Sequence, residues 1–179
     1  MLPANIDEKA IRSEDPEKLV LALANAKADA LLQRHCKDGK WTGSEQVDES
    51  KVTLLLTSDQ VVVHEGRILE KPEDQEEARS FISGYGRSPP STVGAIAVTN
   101  VATGKRVTSL DKATIVFNSI PSDVIEEIVK DDMTLHCAGG LMVEDPRIQP
   151  YLVRIEGGMD SVMGLGKRTT RSLLESVLQ

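Results

Sequence analysis

An α/β fold follows from three observations: helical periodicity over residues 16–35, two short apolar runs around the polar Ser58-Asp59-Gln60, and an extended β-branched pattern over residues 91–117. Ser13-Glu14-Asp15-Pro16-Glu17 reads as a helix start with proline in the first turn. Leu19, Val20, Leu23, Ala26, Ala30 and Leu31 then fall at helical spacing, giving an apolar stripe to about His35, with Lys18 and Lys27 read as solvated. Residues 37–51 carry Gly39, Gly43, Ser44 and Ser50 around Trp41, as expected of a surface loop whose tryptophan tucks it onto the body.

Leu54-Leu55-Leu56 is a continuous apolar run of the kind a strand buried on both faces requires, and Ser58-Asp59-Gln60 is expected just beyond its end, where a carboxylate faces a cleft. Val61-Val62-Val63 is β-branched. His64-Glu65-Gly66-Arg67 turns the chain back into Ile68-Leu69 and delivers Lys71 near the same rim. On these residues alone the plainer reading, a strand-ending acid and a solvated lysine, outweighs a shared site.

Residues 72–78 begin a second helix with acids suited to the helix dipole, ending near Gly84-Tyr85-Gly86. Residues 91–100 and 107–117, joined through Ala102-Thr103-Gly104-Lys105, predict a long hairpin. Pro121-Ser122-Asp123 opens a third helix with Val124, Ile125, Ile128 and Val129 inward. Gly139-Gly140 is either a close backbone approach or a plain turn. Residues 151–155 form another strand, and residues 169–178 a closing helix with Leu173, Leu174 and Val177 inward. His35 and His64 read as capping or surface residues, with His136 left open.

The length of 179 residues suits one folding unit with a real core, in one lobe or two. Aromatic residues make up only 3% of the chain, so Leu, Val, Ile and Ala fill the core. A net charge of −7 argues against a duplex-DNA or anionic-membrane surface. An anionic small ligand needs local Lys and Arg, a divalent cation, or both. Cys36 and Cys137 fit neither a disulfide framework nor a zinc spacing, and with no signal-peptide pattern or run of transmembrane length the expected compartment is the cytoplasm.

Taken in order, several segments resemble the Maf family of nucleoside triphosphate pyrophosphatases over nearly the whole chain. Asn5-Ile6-Asp7-Glu8 is similar to the family's acidic motif, Leu23-Ala24-Asn25-Ala26-Lys27-Ala28 to its helix motif, Ser58-Asp59-Gln60-Val61 to its catalytic-aspartate motif and Lys71-Pro72 to its lysine-proline pair. Ala138-Gly139-Gly140 with Glu144, then Ile155-Glu156-Gly157 and Val162-Met163-Gly164-Leu165, resemble the C-terminal lobe.

That resemblance implies a single domain over residues 1–179, with an elongated mixed-sheet α/β fold like that of inosine triphosphate pyrophosphatases and two lobes around a cleft. It also implies hydrolysis of a nucleoside triphosphate between the α- and β-phosphates with Mg²⁺ or Mn²⁺. By the same resemblance Asp59 accepts the proton of the attacking water, Glu8 and Asp59 hold the metal, Lys71 neutralises phosphate charge, and Lys27, Gln60 and Glu144 bind substrate.

Gln60 and Glu144, with Leu135-His136-Cys137-Ala138-Gly139, resemble the branch acting on 7-methyl-GTP; the dTTP/UTP branch usually has threonine after the aspartate and glutamine where Glu144 stands. Family members also begin with a strand and a Ser-x-Ser, Pro-Arg-Arg-like phosphate loop, which is expected to be missing where Met1-Leu2-Pro3 runs directly into the acidic segment. The rival expectation is therefore a weak or silent nucleotide-binding or dimerisation module; no nucleic-acid or membrane partner is expected, and a homodimer is left open.

Overall fold

The computed structural model describes residues 2–43 and 51–179; Met1 and residues 44–50 of the expected surface loop lie outside the described residues. The chain is mixed α/β. In order it forms α1 (Pro16–His35), β1 (Cys36–Lys37), β2 (Lys40–Trp41), β3 (Leu54–His64), β4 (Arg67–Leu69), α2 (Gln75–Tyr85), β5 (Ser91–Asn100), β6 (Arg106–Phe117), α3 (Ser122–Ile128), β7 (Leu152–Glu156), α4 (Met159–Val162) and α5 (Lys167–Leu178). One small sheet pairs β1 with β2, and a five-stranded sheet has the order β4-β3-β5-β6-β7. The chain divides into two compact units, the first comprising Met1–Asp59, Gly94–Asp111 and Gly164–Gln179, the second Gln60–Val93 and Lys112–Met163.

In the first unit α1 starts as its sequence predicts. Pro16 opens it, and the Asp15 carboxylate accepts the backbone N–H groups of Glu17 at 3.0 Å and Lys18 at 3.4 Å. Its buried face consists of Leu19, Val20, Leu23, Ala24, Ala28 and Leu31. Ala24 and Ala28 thus replace the expected Ala26 and Ala30, because residues 20, 24, 28 and 31 follow one another at steps of four, four and three. Position 27 lies on that same face, four residues from both Leu23 and Leu31, so Lys27 is not a solvated side chain.

Leu173 and Val177 of α5 pack on Ile96 and Val98 of β5, with Leu54, Leu56, Val107 and Leu174 around them. Arg106 ties α1 to the strands: its guanidinium donates to Thr99 Oγ1 at 2.9 Å, Asn25 Oδ1 at 3.1 Å and Asp29 Oδ1 at 2.7 Å. Where a plain loop is expected after α1, Cys36 pairs with Trp41 and Lys37 with Lys40 across the two-residue turn Asp38-Gly39. Trp41 rests against His35 with ring centroids 5.4 Å apart, so the tryptophan does tuck this hairpin onto the helix end.

β3 corrects the expected strand end. Ser58-Asp59-Gln60 lies inside an 11-residue strand that runs unbroken from Leu54 to His64, and Leu54-Leu55-Leu56 is only half-buried. Polar residues are tolerated there because their side chains find partners: Thr57 Oγ1 donates to the Ala24 carbonyl at 2.8 Å, and Gln60 Nε2 donates to the Val162 carbonyl at 3.0 Å.

In the second unit β3 turns into β4 through Glu65 at φ 49° and Gly66 at φ 75°, the left-handed pair a two-residue hairpin turn needs. The turn sets Val62 opposite Leu69, Val63 opposite Ile68 and His64 opposite Arg67. His64 is buried rather than on the surface: its Nε2 lies 3.0 Å from the Ser88 carbonyl, and its ring meets Tyr85 edge-on. The hydrogen bond is what makes that burial tolerable.

α2 is capped by Asp74, whose carboxylate accepts the Glu77 N–H at 2.8 Å. The core joins Val62, Leu69, Ile82, Tyr85, Ile115, Phe117, Ile125, Ile128 and Ile148. Beyond α3, the Asp145 carboxylate accepts Arg147's backbone N–H at 2.8 Å and its Nε at 2.9 Å. Arg147 also donates to the Glu127 carbonyl at 3.2 Å and Asp131 at 3.1 Å.

Candidate active site

A lysine between two acids is the charged centre of the first unit. The Lys27 ammonium lies 2.5 Å from Asp59 Oδ1 and 2.9 Å from Glu8 Oε1. Each is brought there by its element: Lys27 by the buried stripe of α1, Asp59 by the face of β3 that also carries Thr57 against the helix, and Glu8 by the short 3-10 turn Glu8–Ala10. The Asp59 side chain is 10% exposed and that of Glu8 55%, so one acid is held nearly dry and the other reaches solvent.

Burial alone pulls the Lys27 pKa down, but the hydrogen bonds and charges of Asp59 and Glu8 outweigh it and hold the ammonium's pKa above its ordinary value. This lysine is therefore a fixed positive charge at any working pH. Among the described residues no three His, Cys, Asp or Glu side chains gather as a metal cluster. Carboxylates are the ligands a hard divalent cation takes, and Glu8 and Asp59 are the two acids here that could offer oxygens to one, with the Lys27 ammonium already lying between them.

The second unit holds a cavity of about 220 Å³. Val62, Ile115, Phe117 and Leu141 give it apolar walls, Gln60, Thr92 and Glu144 supply polar groups, and Tyr85 and Cys137 also line it. Strand alternation explains why Gln60 and Val62 reach the cavity while Thr57 and Asp59 meet α1: odd and even side chains of β3 leave opposite faces. The bond to Val162 uses one N–H of the Gln60 amide and fixes its plane.

Burial pushes the Cys137 thiol's pKa up, and Glu144 and Asp131 push it further while Lys71 opposes them. The charges of Glu144 and Lys71 thus both reach Cys137; Glu144 lines the cavity with it, and both charged residues are exposed. Burial also holds the Tyr85 phenol above its ordinary pKa, so it stays a neutral donor, and its hydroxyl donates to the Gly139 carbonyl at 2.6 Å.

Glu8, Lys27 and Asp59 thus come together in one unit, and Gln60 and Glu144 line the cavity of the other, whose lining does not include Lys71. Asp59 belongs to the first and Lys71 to the second. Sequence reasoning missed Tyr85 and Phe117 as cavity residues. The available signal was scarcity: with two Tyr and two Phe in the chain, each aromatic has an outsized share of any flat apolar wall.

A family model described as Maf-like protein matches residues 1–177. The 7-methyl-GTP pyrophosphatase of Dictyostelium discoideum is 38% identical over 98% of this chain and 84% of its own length. The dTTP/UTP pyrophosphatase of a Chelativorans species is 30% identical over 97% of this chain and 78% of its own length, and the nucleoside triphosphate pyrophosphatase of Streptomyces coelicolor is 29% identical over the same shares. With a match this continuous, and with the ordered segments around Glu8, Lys27, Asp59, Lys71 and Glu144 all inside it, the chain belongs to the Maf-like protein family.

Proposed function

We propose that this chain hydrolyses a nucleoside triphosphate between its α- and β-phosphates, releasing a nucleoside monophosphate and pyrophosphate. The observation that carries this reading is the nearly dry Asp59 carboxylate held by Lys27 beside Glu8, one residue before a glutamine that lines a cavity. The named activities of the relatives support the same reaction class.

Asp59 accepts a proton from the attacking water as the water oxygen bonds to phosphorus and the α–β bridge breaks. Lys27 keeps that carboxylate oriented and compensated before the reaction. Glu8 and Asp59 would hold a divalent cation, which when bound supplies charge neutralisation at the phosphates. Lys71, an exposed lysine that the family resemblance assigns to the phosphates, would serve there as a point charge.

For the base we favour a guanine, in particular 7-methylguanine. Glu144 presents a carboxylate at the cavity, able to accept the guanine N1–H and amino group, and a methylated guanine adds a positive charge to the attraction. Phe117 and the aliphatic walls suit a flat ring.

The test is pyrophosphate release from a panel of triphosphates with Mg²⁺ or Mn²⁺. Turnover of 7-methyl-GTP is expected, and Glu144→Gln should lower its kcat/KM relative to that of UTP by about tenfold or more, the scale of one charge-assisted hydrogen bond. If no triphosphate yields pyrophosphate while calorimetry still finds nucleotide binding, the chain is a binding module and the proposed hydrolysis is wrong.

A further inference from the structure

Tyr85 has no part in the chemistry above, yet it is only 2% exposed and sits where the cavity is assembled. Its hydroxyl donates to the Gly139 carbonyl at 2.6 Å. The Gly139 N–H in turn donates at 2.9 Å to the carbonyl of Glu70, the neighbour of Lys71. Gly139 has φ 69°, and a Cβ there would stand 2.6 Å from the tyrosine oxygen and 3.0 Å from Val62 Cγ2. Only glycine fits under this hydroxyl. The ring is fixed too, with His64 edge-on at 5.1 Å and Phe117 stacked at 6.3 Å between centroids.

On the reading that the cavity takes the base, we propose that Tyr85 is a positioning residue whose hydroxyl clamps Gly139 and thereby sets both Glu144 and Lys71 for substrate. Gly139 lies inside the segment that supplies Cys137, Leu141 and Glu144 to the cavity, and its N–H anchors Glu70, the residue between the end of β4 and Lys71. The Tyr85 bond therefore holds the stretch of backbone that leads on to Glu144 and that, through the Gly139 N–H, grips the residue before Lys71. Losing it leaves a buried carbonyl without its donor, which favours a shifted backbone.

Tyr85→Phe keeps the ring and removes the clamp. The KM for the preferred triphosphate is expected to rise about tenfold with kcat within about twofold, and the Gly139 amide should exchange with solvent faster. Gly139→Ala should give the same signature. In the double variant the losses should combine to less than their product, since phenylalanine removes the atom the new methyl meets. An unchanged KM and unchanged Gly139 exchange in folded Tyr85→Phe would overturn the proposal whatever happens to its melting temperature. If the wild-type protein turns over no triphosphate, the hydrolysis reading fails by itself, and binding of a guanosine monophosphate by calorimetry decides this one. About tenfold weaker binding to Tyr85→Phe upholds it; equal affinity, or no binding to either protein, overturns it.

Discussion

Asp59→Asn lowers kcat by about two to four powers of ten while leaving the protein folded, the range a general base contributes. Asparagine has the shape of aspartate, and its side-chain oxygen can still accept from the Lys27 ammonium that now lies 2.5 Å away. The anchoring of α1 on β3 is thereby kept, helped by the separate bond from Thr57 to Ala24. What is lost is the ability to take a proton. Pyrophosphate release and a thermal melt on the same sample separate the two effects. Wild-type kcat in this variant would remove Asp59 from the mechanism, whereas a collapsed melting temperature would show that its main work is structural.

Arg147→Met is expected to have the largest effect on stability. The Asp145 carboxylate is 6% exposed and receives the arginine's backbone N–H together with its guanidinium. Removing the cation strands a nearly buried negative charge, which in a fully buried pair costs about 3–5 kcal/mol. The Arg147 side chain is 34% exposed, so solvent screening reduces that to about 2–3 kcal/mol. For a domain of this size the loss corresponds to a melting temperature lower by roughly 5–10 °C.

The same pair predicts a pH dependence. Arg147, by hydrogen bonding above all, holds the Asp145 carboxyl below its usual range. A depressed folded-state pKa stabilises above the unfolded value of about 3.9 and is lost as pH falls through the folded value, so this contribution disappears in acid below about pH 4. Melts between pH 2 and 7 should show a shallower acid limb in Asp145→Asn than in the wild-type protein. Identical limbs would mean that the pair does not couple folding to protonation.

Most helices were legible because their signals are local. Asp15 before Pro16, Asp123 after Pro121 and the 173/177 spacing each act within one or two turns. Lys27 was misread for a definite reason: a stripe drawn through apolar residues alone passes over a charge at the fourth position from Leu23 and Leu31. Its partners lie 32 residues ahead and 19 behind, outside any window. Ser58-Asp59-Gln60 looked like a strand end for the same reason, since the groups that satisfy these side chains belong to distant elements. The local pattern offered Asp59 and Lys71 only as an acid and a cation on one rim, outweighed by a plainer reading until the family resemblance gave them roles, and Glu144 rested on that resemblance alone. Tyr85 carried no sign of its role, because the clamp depends on a glycine 54 residues away.

The run through β3 has one further consequence, for insertions and deletions. Thr57 and Asp59 are assigned to α1, and Gln60 and Val62 to the cavity, only by the parity of their positions. A single residue added or removed between Thr57 and the Glu65-Gly66 turn would exchange those assignments for every side chain on one side of the change. Substitution at Ser58 is a local matter, but the length of this strand is a counted quantity, and a change of one residue there should be more damaging than most point changes along it.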